Sequence, residues 1–238
     1  MTAVLAIAPH PDDELIGAGG ALIKHARAGH RVSLLQVVGR EPTLGADIGP
    51  EEYAAEIKTA QERLGAAECV NLGAPSRDLS PSRKWRLALT SMVRRVAPAV
   101  VYLPHAGEAD REHRVVHELA MDALWMAAAD FFPEAGRPCA PPTLVLGYEV
   151  WTPMARHSYV EDITDVLDVK VHAMRAYRSQ LRHVPWDAAI EGLARYRGAS
   201  AQGRGAAEVF EVLQLGGPFP SVRAAATLAP FATEGPRA

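Results

Sequence analysis

The segment with the most potential for chemistry is Pro9-His10-Pro11-Asp12-Asp13-Glu14. Three adjacent carboxylates beside a histidine would repel one another if unpaired, and a divalent cation removes that repulsion. An imidazole nitrogen and a carboxylate oxygen are both good zinc ligands, and the two prolines stiffen the backbone that presents them. The segment predicts part of a metal site. The alternative interpretation is a turn followed by a helix N-terminus, where Asp13 or Glu14 would be favoured by the helix dipole.

A second cluster of acids and histidine, Asp110-Arg111-Glu112-His113, weakens that alternative. It follows another apolar run, which ends on Pro104-His105. Two strand ends that carry histidine and carboxylate groups can converge on one metal ion. Three protein ligands with an open fourth position are typical of a catalytic metal site rather than a structural one.

The elements around these segments predict a Rossmann-like, mostly parallel, doubly wound α/β sheet. Short apolar runs predict strands over residues 4–8, 31–38, 68–72, 99–103 and 143–150, and helical spacing predicts helices over residues 17–29, 51–64, 82–96 and 111–130. In such sheets, ligands bind outside the carboxyl ends of the strands. Both acidic segments follow predicted strands, so both are expected at that edge.

The pattern changes in the last third of the chain. We expect residues 1–163 to form the α/β core and residues 164–215 to add helices, over residues 164–180, 185–196 and 205–213, that pack on the same domain. Residues 216–238 are rich in Gly, Pro and Ala and predict an irregular tail.

Composition narrows the class of protein. The chain has 238 residues, a formal net charge of −3 and 48% hydrophobic residues, which suits one α/β domain with a substantial core. The near-neutral charge gives no reason to expect nucleic acid or an anionic membrane as a partner. The N-terminus lacks the features of a signal peptide, and no apolar run reaches the roughly 18 residues that span a bilayer. We expect a cytoplasmic protein.

The two acidic motifs together resemble the PIG-L/LmbE family of zinc-dependent N-deacetylases. The N-terminal PHPDDE motif is highly specific, and Asp110 to Arg114 supplies the second motif. Weaker stretches also occur in the order expected for one bacterial branch, and they extend the resemblance over nearly the whole chain; they include residues 56–65, residues 147–153, Lys170, residues 195–198 and Glu208.

The resemblance implies roles for individual residues. His10 and Asp13 match the first two zinc ligands, and His113 matches the third. Asp12 matches the general base, which takes a proton from the attacking water and can pass it to the leaving amine. The implied substrate is a small N-acetyl aminosugar compound, in thiol-cofactor or natural-product biosynthesis, and the implied assembly is a homo-oligomer. The ligand types favour zinc, although ferrous iron also suits them.

The second motif departs from the family pattern. Asp110 replaces a histidine that stabilises the oxyanion or helps protonation, and Glu112 replaces the aspartate that supports it. An ionised carboxylate cannot stabilise an oxyanion, so His105 or Arg111 would have to substitute. The departure leaves two alternatives open: an amidase acting on a longer acyl chain or a non-sugar amine, and a binding homologue with little turnover.

The expected substrate pocket also departs from the family. Relatives often carry an arginine where this chain has Tyr53. Arg40 and Glu41, after the second predicted strand, are candidates for the sugar pocket, although a solvated loop is an equally good interpretation. Tyr148 is a further candidate for substrate binding, although Tyr148 and Trp151 are more often core or pocket-wall residues than catalytic ones.

Overall fold

A computed structural model describes residues 1–40 and 48–216. Its strands are β1 (Ala3–Ala8), β2 (Arg31–Val38), β3 (Glu68–Ala74), β4 (Val100–Pro104), β5 (Leu144–Tyr148), β6 (Tyr159–Asp162) and β7 (Ala207–Leu215). Its helices are α1 (Asp13–Arg27), α2 (Pro50–Leu64), α3 (Arg83–Val96), α4 (Arg111–Ala128), α5 (Leu167–Met174), α6 (Arg178–Leu181) and α7 (Trp186–Arg197). None of these helices is long and apolar enough to cross a membrane.

The strands form one sheet in the order β3-β2-β1-β4-β5-β7-β6. The first five are parallel, and β7 and β6 pair antiparallel at one edge. The central strand β1 is buried on both faces: Val4 and Ala6 pack into one core, with α1, α2, α5 and α7, while Leu5 and Ile7 pack into the other, with α3 and α4. Burial on both faces explains its continuous apolar sequence. The predicted doubly wound α/β fold is confirmed.

One of the three helices predicted for the C-terminal third of the chain needs correction. The helix predicted over residues 205–213 is wrong, because these residues form β7, which pairs with both β5 and β6. The sequence of β7 is rich in β-branched and aromatic residues, which favour strands, and the antiparallel neighbours decide the outcome. The helices predicted over residues 164–180 and 185–196 correspond to α5 with α6 and to α7. The predicted tail, apart from Gly216, lies outside the described residues.

Helix α1 packs unusually closely against its neighbours. A Cβ atom at Gly17 would lie 2.2 Å from the Tyr148 ring, and one at Gly20 would lie 2.5 Å from Ile163. Glycine at these positions lets the helix backbone approach β5 and the residues that follow β6. Because α1 begins at Asp13, this close packing also fixes the position of the predicted metal ligand.

A buried ion pair fastens α1 to the C-terminal half of the chain. The Lys170 Nζ donates to Ile16 O at 2.8 Å and to Glu208 Oε1 at 2.7 Å. The Glu208 carboxylate also accepts the backbone N–H groups of Gly20 and Ala21, at 2.7 and 2.9 Å. The ammonium thus makes two hydrogen bonds and the carboxylate accepts three, and such further hydrogen bonds are the condition under which a buried charge pair is tolerated.

Removing one charge from this pair should destabilise the fold strongly. We expect Glu208→Gln to lower the free energy of unfolding by about 3–5 kcal/mol, because the Lys170 ammonium stays buried without its counter-charge. Urea denaturation followed by circular dichroism measures the change. The exposed pair of Arg175 and Asp187 is the matched control, and Arg175→Met should cost less than about 1 kcal/mol. Equal losses in the two variants would contradict a structural role for the buried pair.

Candidate functional site

The two acidic segments meet at the carboxyl edge of the sheet. Strands β1 and β4 are adjacent and parallel, so the loops after them lie side by side. The loop after β1 carries His10 and leads into Asp13, the first residue of α1, while α4 carries His113. The donor atoms of these three residues all lie within 4.8 Å of one another, and all three side chains are buried.

The distances within this cluster suit a metal ion. Asp13 Oδ2 lies 3.1 Å from His10 Nδ1 and 3.3 Å from His113 Nε2. Two ligands at about 2.1 Å from a tetrahedral zinc ion are about 3.4 Å apart. The Nε2 atom of His113 is fully buried and makes no hydrogen bond to any described residue. A buried polar atom without a partner is costly, and a cation between the three donors would satisfy it.

The other nitrogen of each histidine contacts a buried glutamate. His10 Nε2 lies 2.8 Å from Glu112 Oε2, and His113 Nδ1 lies 3.3 Å from Glu108 Oε2. A proton on each of these nitrogens leaves His10 Nδ1 and His113 Nε2 unprotonated and directed at Asp13. Metal-binding histidines usually donate their second N–H to a carboxylate or carbonyl in this way, which fixes both ring orientation and tautomer.

Both supporting glutamates stay ionised. Burial opposes ionisation of Glu112, but hydrogen bonds from His10 and the Arg77 backbone outweigh it and hold the pKa of that carboxyl below its usual value. Burial likewise opposes ionisation of Glu108, whose pKa is held well below its usual value by hydrogen bonds from His105 and His113. Carboxylates that keep their charge can accept hydrogen bonds from both imidazoles.

Sequence reasoning missed Glu108. The backbone N–H groups of Val150, Trp151 and Thr152 approach its carboxylate at 2.7, 3.1 and 3.4 Å. These donors come from the loop after β5, so the contact forms only in the folded chain. The one feature of the sequence that could have indicated Glu108 is its position, as an acidic residue between the end of β4 and the second motif.

The first and last acids of the PHPDDE motif, Asp12 and Glu14, occupy two different environments. Asp12 is buried beside the cluster as the N-cap of α1, with a φ of 108° that is unusual for a residue other than glycine. Strained residues of this kind concentrate at functional sites. Glu14 lies deeper, and burial raises its pKa to about 7. A glutamate that binds its proton more readily reduces repulsion among the three adjacent acids.

Asp110, the residue at the position of the family histidine, is an N-cap. Its carboxylate accepts the Glu112 N–H at 2.6 Å and pairs with the Arg77 guanidinium at 2.8 Å. Burial opposes its ionisation, but the contacts with Arg77 and the helix N-terminus hold its pKa below the usual value. Asp110 is therefore an anion that stabilises the start of α4.

The two proposed substitutes for the histidine are engaged elsewhere. His105 Nε2 lies 2.9 Å from Thr152 O and 3.1 Å from Glu108, while its Nδ1 accepts the Gly107 N–H at 3.2 Å. Both ring nitrogens are thus used in positioning the loops. The Arg111 guanidinium donates to Leu79 O at 2.7 Å. The geometry favours a structural role for both residues.

The candidates for the substrate pocket divide into three groups. The prediction that Tyr148 lines the pocket needs correction, because Tyr148 is fully buried and its hydroxyl donates to Ile7 O at 2.9 Å. It packs in the core against β1 instead of lining a pocket. Tyr53, on α2, is buried against Ile48, and Arg40 donates to Ile48 O at 2.5 Å. Glu41 lies outside the described residues.

Comparison with known proteins identifies a family of de-N-acetylases. Residues 5–124 match the model of the PIG-L family, described as GlcNAc-PI de-N-acetylase. The chain is 29% identical over 201 residues to the diacetylchitobiose deacetylase of Thermococcus kodakarensis, covering 77% of this chain and 72% of that protein.

Two further comparisons extend the likeness. A 1D-myo-inositol 2-acetamido-2-deoxy-alpha-D-glucopyranoside deacetylase of Kineococcus radiotolerans is 31% identical over 165 residues, covering 53% of this chain and 46% of that protein. The solved structure of the N,N'-diacetylchitobiose deacetylase of Pyrococcus horikoshii superposes with a TM-score of 0.77 at 26% identity, covering 88% of this chain and 83% of that one. The family match spans half of the chain and contains all three residues of the buried cluster, which confirms the resemblance of the two motifs: the chain belongs to the PIG-L family.

Proposed function

We propose that this protein is a zinc-dependent hydrolase that removes the N-acetyl group of a small aminosugar-containing substrate. The observation that carries the proposal is the buried cluster of His10, Asp13 and His113, whose two imidazoles are each backed by a carboxylate. The named relatives are deacetylases of diacetylchitobiose and of an acetamido-glucopyranoside, which supports an aminosugar as the substrate class.

The donor set suits zinc: two imidazole nitrogens and one carboxylate oxygen, with a fourth position left for water or substrate. Ferrous iron is compatible with the same set. When bound, zinc supplies Lewis acidity, which polarises an amide carbonyl and makes water more acidic. Glu112 and Glu108 hold the two rings so that His10 Nδ1 and His113 Nε2 can face the ion.

Asp12 is the proposed general base. Three observations support this role: Asp12 lies in the chain between His10 and Asp13, it is buried, and as the N-cap of α1 it makes no side-chain capping hydrogen bond. It takes a proton from the water that attacks the amide carbonyl. Protonated Asp12 then gives that proton to the nitrogen as the C–N bond breaks, which releases acetate and the free amine.

The negative charge that develops on the former carbonyl oxygen is stabilised by fewer side chains here than in the family pattern, which has a histidine at the position of Asp110. Asp110 is an anion capping α4, and both nitrogens of His105 are engaged. The lack of a free side-chain donor near the oxyanion, among the residues that the structure describes, favours a slow enzyme. It also supports a second candidate function, a homologue that binds the substrate with little turnover. The cytoplasmic location and the homo-oligomer expected from the sequence remain predictions.

The metal assignment makes a direct prediction. We expect about one zinc ion per chain in the wild-type protein and loss of that zinc in His10→Ala and in His113→Ala, because each change removes one of three ligands. Elemental analysis after dialysis measures the content, and circular dichroism checks the fold. His117→Ala, one helical turn after His113, is the control and should keep its zinc. Full zinc occupancy in both ligand variants would refute the assignment.

The general base is tested separately from metal binding. Asp12→Asn keeps the size of the side chain and removes its basicity, so zinc content should be retained while kcat falls by about 10²–10⁴-fold. The measurement is amine release from N-acetylglucosaminides. Asp122→Asn, at a half-exposed position of α4 that pairs with Arg86 of α3, should leave kcat unchanged. Turnover near the wild-type level in Asp12→Asn would mean that another group takes the proton.

The missing histidine gives a third prediction. We expect Asp110→His to raise kcat by up to about 10²-fold, because it restores an oxyanion donor. Asp110→Asn keeps an N-cap without adding an imidazole and is the matched control. If kcat rises in neither variant and falls in His105→Ala at unchanged zinc content, then His105 is the donor and our interpretation of its contacts is wrong.

A further inference from the structure

An exposed tryptophan lies in a loop whose backbone contacts a carboxylate that supports the proposed metal cluster. Trp151 lies in the loop after β5, at the carboxyl edge of the sheet, and 53% of its surface is exposed. Its backbone N–H donates to Glu108 Oε2 at 3.1 Å, and the same oxygen lies 3.3 Å from His113 Nδ1. One carboxylate oxygen therefore connects the backbone of Trp151 to a proposed metal ligand.

The loop that carries Trp151 is clamped from behind. The buried Glu149 carboxylate accepts two hydrogen bonds from the Arg197 guanidinium, at 2.9 and 2.6 Å, and one from the Met154 N–H at 2.6 Å. Arg197 also donates to Met154 O at 2.9 Å. Contacts on both sides of Trp151 thus fix the backbone that precedes and follows it.

The ring of Trp151 is held as well. It meets the ring of Trp186 edge to face, with centroids 4.9 Å apart and an interplanar angle of 86°. Trp186 is the first residue of α7 and packs against the larger core. Edge-to-face pairs of this kind are favourable. The result is a large aromatic surface that faces solvent in a fixed orientation, which is the form of contact that costs little entropy on binding.

We propose that Trp151 is the platform on which the apolar face of the substrate's pyranose ring stacks. This inference rests on the proposed function and names a specificity-determining contact for it. A pyranose presents C–H groups on its faces and hydroxyl groups at its rim, so it matches an exposed aromatic ring bordered by water. Stacking there would select sugar amides over ring-less amides, while the metal cluster performs the same chemistry on both.

Binding is tested first, with zinc-loaded protein and N,N'-diacetylchitobiose as the probe. Trp151→Ala should weaken affinity about tenfold, since aromatic contacts of this kind are worth about 1 kcal/mol or more, and Trp151→Phe should recover most of it. The control is Trp125→Ala: Trp125 is 66% exposed but lies on α4 roughly 18 Å beyond His113. Zinc content should be the same in all four proteins, and the melting temperature should fall by no more than about 2–4 °C in each alanine variant, as expected for the loss of one aromatic pair. Unchanged affinity in Trp151→Ala, or no binding of the sugar by the wild type, overturns the proposal.

Kinetics then separate stacking from a merely structural role. For N-acetylglucosamine, Trp151→Ala should raise KM about tenfold with little change in kcat, while kcat/KM for ring-less N-acetylethanolamine stays at the wild-type value. An equal fall in kcat/KM for both substrates overturns the proposal, because it would mean that the site itself is disturbed. A wild-type protein that binds the sugar through Trp151 but releases no acetate would contradict the proposed hydrolysis and leave the stacking contact established.

Discussion

The candidate site depends on two hydrogen bonds between buried groups, from His10 to Glu112 and from His113 to Glu108. Each one places a proton on the outer nitrogen of an imidazole and leaves the inner nitrogen as a lone-pair donor. Without the carboxylates, two buried neutral rings next to Asp13 could adopt either tautomer. With them, the three donors are organised before any ion arrives.

Much of the surrounding fold serves to hold those two glutamates. Glu112 lies in the first turn of α4, where Asp110 caps the helix. Glu108 accepts hydrogen bonds from the backbone of the loop after β5, and the ion pair of Glu149 with Arg197 fixes that loop. Elements far apart in the sequence thus converge on one acceptor. Asp110 and His105 have structural roles for the same reason. Asp110 caps the helix that carries Glu112, and His105 contacts both Glu108 and the loop after β5.

The sequence predicted the parts of this arrangement that are local. The strand β1 and the PHPDDE motif are contiguous, and buried parallel strands have continuous apolar sequences, so the edge that carries the site could be located. Partnerships between distant residues could not be predicted. The role of Glu108 depends on backbone donors in residues 150–152, and the residues of β7 have an ambiguous spacing that antiparallel pairing with β5 decides. Tyr148 was misplaced for the same reason, since only the packing of Gly17 against its ring shows that it belongs to the core.

If Glu112 and Glu108 orient the two imidazoles, the metal ion binds through His10 Nδ1 and His113 Nε2. Anomalous diffraction at the zinc edge from crystals of the zinc-loaded protein tests it most directly. We expect a single strong peak at about 2.0–2.1 Å from His10 Nδ1, His113 Nε2 and an Asp13 oxygen, with Glu112 and Glu108 still contacting the opposite ring nitrogens. A metal ion bound through those opposite nitrogens, or bound away from this cluster, would contradict it.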